Sequence, residues 1–300
     1  PCVLMSNSIL NRVQMFLTEA NMASVQVSST IIQEFGEACK AAFRRQFTDK
    51  RNSKFKIRMS SIGRPLCQLQ MEKMGKEREL LPYNTKMRNL FGDMIEAAAI
   101  AILKASDVKI DEEQKRVKYK FNGDEIDGTY DAKIEGRIWD IKSASPMSFD
   151  YKFGDRGGFD TILKYDDFGY VTQGYLYSNA EKCDFGGWIV INKSTGEWCI
   201  TETPVADSEH SKDAIQKAKD NVKALRNNAP FKRCFTDTEE YFYRKKTGNR
   251  VLKSTCGFCS YKNACWGDKI QYLPQQQSKA LDPKFVWYTK ITNPRVEDEN

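Results

Sequence analysis

The sequence lacks an apolar run long enough to cross a membrane. The longest such stretch, residues 97–103, is far shorter than the roughly 18 residues that a spanning helix needs. The N-terminal segment also lacks the features of a secretory signal, because polar residues interrupt its apolar stretch and no basic region precedes it. These absences exclude a transmembrane helix and predict an intracellular, cytoplasmic protein.

Internal repeats and low-complexity tracts are also absent, and histidine occurs once, at His210, which we expect on the surface of a late helix. The 300 residues are 40% hydrophobic and 29% charged, a balance typical of a globular protein with a substantial core. Nine cysteines without an export signal are not expected to form disulfides, since the cytosol keeps thiols reduced. Buried thiols, reactive thiols and metal ligands remain as explanations.

The net charge of +7 is unevenly distributed along the chain. Between Lys40 and Arg58 there are eight cationic side chains and a single acid, Asp49. A second basic stretch, residues 232–253, carries aromatic side chains between its charges. Such segments can bind a phosphate backbone and stack on unpaired bases, although a solvated charged surface is the commoner explanation of a charge run.

The spacing of apolar residues predicts a mixed α/β unit between two other regions. Residues 1–83 have the three- and four-residue apolar spacing of helices, and residues 229–300 are predicted to be an irregular tail. Residues 84–228 alternate helical and strand patterns. The elements predicted there are a helix from Asn84 or Thr85, strands over 117–121, 126–134 and 138–143 joined by turns at Asn122-Gly123 and Glu135-Gly136, a loop over 146–160, a helix over 164–179, a hairpin of 188–192 and 197–203, and a helix over 207–226.

Two of the predicted strands carry a candidate site for phosphodiester hydrolysis. That reaction needs charge neutralisation and a deprotonated water, which carboxylate-bound Mg²⁺ supplies, and a nearby lysine can orient the water or help to deprotonate it. The chain has six Asp/Glu-x-Lys tripeptides, but Asp140-Ile141-Lys142 ends an apolar strand, where buried charges need a metal or a partner. Asp131, on the preceding strand, lies within reach of the same cation. A cross-strand acid–lysine pair is the structural alternative.

Two flanking helices add further polar side chains. Glu96, in Gly92-x-x-x-Glu96, is set in a run of Ala and Ile where a carboxylate is out of place. Gln173 and Tyr177 lie four residues apart and share one face of the later helix, although this spacing is usually structural.

In this order, Gly-x-x-x-Glu, Gly-x-x-Asp, Asp-x-Lys and Gln-x-x-x-Tyr resemble the motif series of RecB-like nucleases within the PD-(D/E)XK superfamily, over residues 92–177. The resemblance implies a restriction-endonuclease-like α/β core, with a mixed central sheet flanked by helices. It also implies an Mg²⁺- or Mn²⁺-dependent deoxyribonuclease, an exonuclease on single-stranded DNA or DNA ends. It assigns Asp131, Asp140, the Ile141 carbonyl and Glu96 as metal ligands, Lys142 as the catalytic lysine, and Gln173 and Tyr177 as residues that position the strand or the lysine.

Glu96 departs from the usual pattern of this family. RecB-like members usually carry His at this position, whereas lambda-exonuclease-like members carry a carboxylate. Because a carboxylate still binds Mg²⁺, the departure leaves the activity in place and leaves the metal preference and the subfamily open.

The cysteine spacing near the C-terminus predicts a metal site. Cys256, Cys259 and Cys265 have C-x2-C-x5-C spacing, and a tetrahedral site needs a fourth ligand from elsewhere, for which Cys67 is the candidate. One cysteine before the nuclease core and three after it resemble iron–sulfur nucleases such as the CRISPR-associated RecB-like exonucleases. The resemblance implies a structural 4Fe-4S cluster that ties the chain ends together. Zn²⁺ is the alternative, and Cys234 is the alternative fourth ligand.

Three alternative functions stay open: a nucleic-acid-binding subunit that does not cut, a structure-specific endonuclease, and a zinc-ribbon scaffold. The predicted DNA-binding residues are Arg44, Arg45, Lys54, Lys56 and Arg64. The expected partner is DNA rather than a membrane. The resemblance adds a helicase, a recombinase or another replication or recombination protein, acting in a bacterium or a phage-infected host cell.

Overall fold

A computed structural model describes residues 2–49, 54–121 and 123–295, with side chains from residue 8 onward. The chain forms helices and strands in an order that mixes both types. The elements are α1 (Cys2–Met22), α2 (Ser29–Phe47), α3 (Met59–Ile62), α4 (Leu66–Lys73), α5 (Thr85–Ala105), β1 (Ile110–Phe121), β2 (Asp124–Ile134), β3 (Arg137–Ala144), α6 (Pro146–Ser148), a π-helical turn (Phe149–Phe153), α7 (Phe159–Lys164), α8 (Tyr170–Glu181), β4 (Phe185–Asn192), β5 (Trp198–Glu202), α9 (Ser208–Arg226), β6 (Asp237–Phe242), β7 (Lys245–Leu252), α10 (Ser254–Gly257), α11 (Lys262–Trp266), a 3₁₀ turn (Gly267–Lys269), β8 (Gln271–Pro274) and β9 (Phe285–Lys290).

These elements form two compact units. The N-terminal unit consists of Pro1–Arg64 and Pro82–Lys223, and the C-terminal unit consists of Pro65–Leu81 and Ala224–Asn300. No helix within the described ranges is long and apolar enough to cross a membrane.

The N-terminal unit contains a mixed five-stranded sheet in the order β1-β2-β3-β4-β5. Strands β3 and β4 run parallel and the other neighbours run antiparallel. The β2–β3 turn uses Glu135 and Gly136, both with positive φ (51° and 76°), as a two-residue hairpin turn requires. This turn confirms the sequence prediction; of the other predicted turn, Asn122 lies outside the described residues.

The two faces of this sheet differ in chemistry. Ala132, Trp139 and Ile141 lie in an apolar core with Val13 of α1 and Leu103 of α5. Because side chains alternate along a strand, the residues between them point to the opposite face. Helix α8 packs against that face. In this packing the Tyr177 ring lies 6.3 Å from the ring of Tyr130, and the Tyr175 ring lies 5.5 Å from the ring of Phe185.

The helix predicted over 164–179 is present as α8, but it begins only at Tyr170, and residue 164 is the last residue of a separate helix, α7. Gly169 has a φ of +76°, which ends helical geometry, and its backbone approaches Gly63 so closely that a Cβ at residue 169 would lie 2.6 Å from the Gly63 carbonyl carbon. Asp166 then accepts backbone hydrogen bonds from Tyr170 (2.6 Å) and Val171 (3.2 Å) at the start of α8. The predicted loop over 146–160 is wrong in part, since it contains α6 and the π-helical turn.

The C-terminal unit contains a four-stranded antiparallel sheet in the order β6-β7-β9-β8, which the sequence prediction of an irregular tail missed. Its strands surround a buried polar network centred on Glu240. Glu240 accepts hydrogen bonds from Tyr288 Oη (2.5 Å), Thr247 Oγ1 (2.8 Å) and Asn249 Nδ2 (3.0 Å). These polar core positions break the apolar alternation by which strands are recognised in a sequence.

Two helical glycines test how tightly α8 packs on the sheet. A Cβ at Gly174 would lie 2.2 Å from Phe185 Cζ, whereas a Cβ at Gly36 in α2 would meet nothing within 4 Å. We expect Gly174→Ala to lower the free energy of unfolding by about 1–3 kcal/mol through overpacking. Gly36→Ala should raise it by roughly 0.5–1 kcal/mol through helix propensity. Urea denaturation measures both, and equal effects of the two substitutions would contradict the packing of α8 described above.

Candidate active site and cysteine cluster

Strands β2 and β3 bring the two predicted aspartates close together. The antiparallel register ends with Ala132 opposite Trp139, both in the apolar core, and Asp131 and Asp140 are the next residue of each strand beyond this pair. Asp131 Oδ2 accepts a hydrogen bond from the backbone N–H of Ile141 at 2.7 Å. The carboxylates are therefore held by the strand pairing itself.

Lys142 lies two residues beyond Asp140 and points to the same face. Its Nζ donates a hydrogen bond to Asp140 Oδ1 at 2.7 Å and lies 2.7 Å from Oδ2 as an ion pair. Asp140 is 3% exposed, and its Oδ2 accepts no hydrogen bond. The Lys142 ammonium group therefore compensates this buried oxygen through the ion pair, and the oxygen makes no hydrogen bond of its own.

Glu96 approaches these groups from α5. Its carboxylate accepts a hydrogen bond from Gln114 Nε2 at 2.6 Å. Burial raises the pKa of Glu96, the positive charge of Lys142 opposes the rise, and the charge of Asp140 adds to it. Glu96 is therefore within electrostatic range of the two groups on β3.

The three carboxylates exceed the local positive charge. Burial raises the pKa of Asp131 well above its ordinary value, and the charges of Asp140 and Glu96 raise it further. Burial alone would lower the pKa of Lys142, but Asp140 and Asp131 outweigh it, so the pKa of Lys142 is raised. Mutual destabilisation of buried acids is a mark of functional sites, and additional positive charge would relieve it.

Gln173 and Tyr177 of α8 lie together as the sequence predicted from their spacing. Gln173 Nε2 donates a hydrogen bond to Tyr177 Oη at 3.2 Å. Burial raises the pKa of Tyr177, and the charges of Asp140 and Asp131 contribute to the rise. Gly128 permits this approach, because a Cβ there would lie 2.6 Å from Tyr177 Cε1. The helix therefore brings a hydroxyl and an amide toward the acidic side of the sheet.

The donor set fits a hard divalent cation. Carboxylate and carbonyl oxygens are the ligands that Mg²⁺ and Mn²⁺ prefer, and Asp140 Oδ2 is an acceptor without a hydrogen bond. As the side chains stand, no group of three or more His, Cys, Asp or Glu within the described ranges is arranged to hold a metal ion. In this arrangement Lys142 donates a hydrogen bond to Asp140, the Ile141 N–H to Asp131 and Gln114 to Glu96.

Tyr170 is a neighbour of the site that the sequence analysis missed. Lys142 Nζ lies 5.4 Å from the centre of the Tyr170 ring. Burial raises the pKa of the Tyr170 hydroxyl, and the charge of Lys142 opposes the rise. No motif marked this residue, because it reaches the site through the break between α7 and α8.

The predicted DNA-binding residues have different surroundings. Arg45 forms an ion pair with Asp93 (3.0 Å), and its charge opposes the rise that burial causes in the pKa of Glu96. Lys56 forms an ion pair with Asp127 (3.1 Å). The remaining three are Arg44, exposed on α2, Lys54, exposed in the segment before α3, and Arg64, whose Nε is buried without a hydrogen bond. Lys50 and Arg51 of the same basic stretch lie outside the described residues. His210 lies on α9 as predicted but is half-buried, with Nδ1 2.9 Å from Asp207 Oδ2.

Five cysteines belong to the C-terminal unit: Cys67, Cys234, Cys256, Cys259 and Cys265. The backbone N–H of Cys67 donates to Cys234 Sγ at 3.1 Å. The two thiols also form a hydrogen bond with each other, which raises the pKa of Cys67 and lowers the pKa of Cys234. The alternative fourth ligand named from the sequence is therefore in direct contact with the preferred one.

Cys265 links this pair to the other two thiols electrostatically. Burial, then the charges of Cys259 and Cys265, raise the pKa of Cys256 to about 11. The charge of Cys265 also raises the pKa of Cys259 and of Cys67. Burial raises the pKa of the half-buried thiols of Cys39, Cys183 and Cys199 in the N-terminal unit, and the side chain of Cys2 lies outside the described residues.

Comparison with known proteins leaves the family of this chain open. No protein-family model matches it, and no curated protein is significantly similar to it. Among solved structures it is similar to SSO0001, with a TM-score of 0.42 and 16% identity over 78% of this chain and 96% of that chain. It is also similar to a protein named "putative exonuclease" from Eubacterium rectale, with a TM-score of 0.36 and 12% identity over 70% of this chain and 91% of that chain. Neither likeness is close enough to assign an activity.

The charge imbalance predicts that Asp131 destabilises the metal-free protein. Its pKa is higher in the folded than in the unfolded state, so the free energy of unfolding should fall as the pH rises from about 4 through the raised pKa. We expect Asp131→Asn to remove this slope and to raise the free energy of unfolding in EDTA at pH 8, because the neutral side chain no longer carries a buried charge beside Asp140 and Glu96.

Asp127 on the same strand is the matched control, because Arg116, and also Lys56, lowers its pKa. Asp127→Asn should lower the free energy of unfolding by less than about 1 kcal/mol. Denaturant titrations at several pH values measure both variants. A destabilised Asp131→Asn protein in EDTA would contradict the charge imbalance.

Proposed function

We propose that the protein is a metal-dependent deoxyribonuclease of the PD-(D/E)XK type, an exonuclease on single-stranded DNA or DNA ends. The observation that supports this most is the convergence of Asp131, Asp140 and Lys142 on one side of the sheet, where a buried carboxylate oxygen of Asp140 lacks a hydrogen bond. Acids crowded against a single ammonium group serve poorly as a purely structural pair, because one acid is left uncompensated.

Asp131, Asp140, the Ile141 carbonyl and Glu96 would hold Mg²⁺ or Mn²⁺. The bound cation would neutralise the phosphate and lower the pKa of a water molecule. The chain itself keeps these oxygens in place through the β2–β3 pairing and the N–H of Ile141. Pre-positioned ligands reduce the reorganisation that substrate binding requires.

Lys142 would act as a cation and a hydrogen-bond donor at the site. In the metal-free protein Asp140 and Asp131 raise its pKa against the effect of burial, which favours the ammonium form, and this group has N–H donors but no acceptor. The group can donate hydrogen bonds to the negative charge that develops at the phosphate, and its position beside Asp140 fixes the direction of donation. Gln173 and Tyr177 hold each other through a hydrogen bond and would position the strand or the lysine.

The thiols of the C-terminal unit form the second part of the proposal. Cys67, Cys256, Cys259 and Cys265 would hold a structural 4Fe-4S cluster, with Zn²⁺ as the alternative. The electrostatic influence of Cys265 on the other three supports a common site. The contact between Cys67 and Cys234 leaves Cys234 as a competitor for the fourth position.

Removal of either central side chain should abolish cleavage. We expect Asp140→Ala and Lys142→Ala to reduce the rate of DNA hydrolysis by 10²–10³-fold or more, an effect on the order of that seen when a charge-stabilising group is lost. Lys109→Ala is the matched control, since Lys109 closes another Asp-x-Lys tripeptide but is 84% exposed and lies 3.8 Å from Asp111. End-labelled oligonucleotides in Mg²⁺ and in EDTA measure the rates.

A fully active Asp140→Ala protein would exclude the proposed site. A wild-type protein that binds DNA but does not cut it in Mg²⁺ or Mn²⁺ would instead favour a binding subunit with the same fold. Cleavage of circular single-stranded DNA would favour an endonuclease, because a pure exonuclease needs an end.

Substitution of a cysteine that binds the metal cluster should cause the protein to lose the cluster. We expect Cys67→Ser, Cys256→Ser, Cys259→Ser and Cys265→Ser to lose iron, sulfide and the absorbance near 400 nm, and Cys234→Ser to keep them. Anaerobic purification with metal analysis measures the content of each variant. Full loss in Cys234→Ser with retention in Cys67→Ser would reverse the assignment of the fourth ligand, and zinc without sulfide in a colourless protein would exclude the iron–sulfur cluster.

A further inference from the structure

An aromatic cluster with a lysine adjoins the candidate active site. It consists of Phe153 at the end of the π-helical turn, Phe168 in the break between α7 and α8, and Tyr170 at the start of α8. Lys152 lies over all three rings, with Nζ 5.8 Å from the centre of Phe153, 5.5 Å from Phe168 and 4.8 Å from Tyr170. The Tyr170 ring also contacts Lys142, so the cluster continues directly into the proposed catalytic group.

The charge of Lys152 is weakly compensated. Within the described part of the chain its Nζ makes no ion pair within 4.0 Å and no hydrogen bond. Burial lowers the pKa of Lys152, and the negative charges of Asp166 and Asp167 partly offset this decrease. A half-buried ammonium group held by ring faces can still accept an anion as a direct partner.

Phe168 is the member of the cluster that internal packing does not explain. Its ring stacks on Tyr170 with centres 5.5 Å apart and planes 20° from parallel, yet Phe168 is 51% exposed. Phe153 is buried, and the ring of Tyr170 lies against Lys142 and Lys152. The rings of Phe153 and Tyr170 already give Lys152 its cation–π contacts. A third aromatic ring placed there only for packing would be expected to be buried, and Phe168 is not.

We propose that the cluster binds a single-stranded segment of DNA, with a base stacked on Phe168 and a phosphate held by Lys152, next to the phosphate at Lys142. An exposed aromatic ring beside lysines is the arrangement by which proteins bind unpaired nucleotides, since each base offers a ring face and each phosphate a negative charge. A base within a duplex is already stacked on both sides and must leave the stack before it can offer that face. The cluster would therefore bind an unpaired nucleotide in preference to a base-paired one.

This inference rests on the proposed function, because the cluster gains its meaning from the adjoining active site. It adds to that function the side chains that would hold the unpaired strand beside the active site. A third cation, Arg64, supports the inference. Its charge opposes the rise that burial causes in the pKa of the Tyr170 hydroxyl, and its Nε is buried without a hydrogen bond. The surroundings of Tyr170 thus combine three positive side chains with an exposed stacking ring.

Binding of a single-stranded oligonucleotide that carries 2-aminopurine tests the proposal without cleavage, in Ca²⁺ under conditions where the DNA stays intact. Stacking quenches the fluorescence of this base. We expect Phe168→Ala to weaken binding of the single strand about 5- to 150-fold and to abolish the quenching, with binding of a blunt duplex unchanged. Phe168→Tyr should retain both signals, and Phe168→Leu, which keeps apolar bulk without an aromatic face, should behave as Phe168→Ala.

Lys152 is tested by the salt dependence of the same binding. Lys152→Gln should reduce the slope of log K against log salt by about 0.7, the value for one phosphate contact on a single strand, while Lys152→Arg should keep the slope. Phe43→Ala is the matched aromatic control, since the Phe43 ring also has an aromatic neighbour, Phe47, with ring centres 4.9 Å apart, and Phe43 is 53% exposed. It should leave the quenching unchanged.

The outcomes separate this inference from the proposed function. Equal losses for single strand and duplex in Phe168→Ala, or wild-type quenching in Phe168→Leu, would overturn the stacking role. If wild-type protein cuts DNA and Phe168→Ala binds single strands normally, the inference fails and the nuclease stands. If wild-type protein never cuts but Phe168→Ala loses quenching, the nuclease fails and the single-strand site stands.

Discussion

The candidate site depends on three carboxylates held close to one ammonium group on the face of the five-stranded sheet opposite its apolar core. Besides burial, the charge of Asp140 raises the pKa of both Asp131 and Glu96, Glu96 raises that of Asp131 further, and Lys142 opposes both rises only in part. Strand pairing maintains this arrangement, because the backbone N–H of Ile141 binds Asp131 and the opposite face of β3 is fixed in the core through Trp139 and Ile141. The packing of one face thus stabilises a charge pattern on the other that would be unfavourable alone.

The same constraint explains why the helices around the site are irregular. Helix α8 must bring Tyr177 against Gly128 of β2 and begin at Tyr170, beside Lys142. A continuous helix from α7 could not do both, and the positive φ of Gly169 allows the chain to change direction there. The break places Phe168 in solvent within stacking distance of Tyr170. An exposed ring next to the acids is therefore a consequence of how α8 is positioned.

The sequence predicted the parts of the fold that local chemistry determines. Strands β2 and β3, their Glu135-Gly136 turn and the proximity of Asp131 to Asp140 follow from alternation and turn preference, and the structure has them. Tyr170 and Lys152 were missed because their contacts depend on the α7–α8 break and on a π-helical turn, which no periodic pattern indicates. The C-terminal sheet was missed because Glu240 and Asn249 occupy its interior, where alternation predicts apolar residues.

That polar interior gives the thiols of the C-terminal unit a role in folding as well as in ligation. Its apolar cluster of buried residues is small, consisting of Leu252, Trp266 and Ile270, with Cys256 and Cys265 packed against it. A hydrogen-bonded network around Glu240 fixes geometry but contributes little net free energy, since the unfolded chain makes equivalent bonds to water. If a cluster or Zn²⁺ binds the thiols, its binding free energy becomes folding free energy for this unit. The two units would then be stabilised by different means, the first by apolar packing and the second by metal–sulfur bonds.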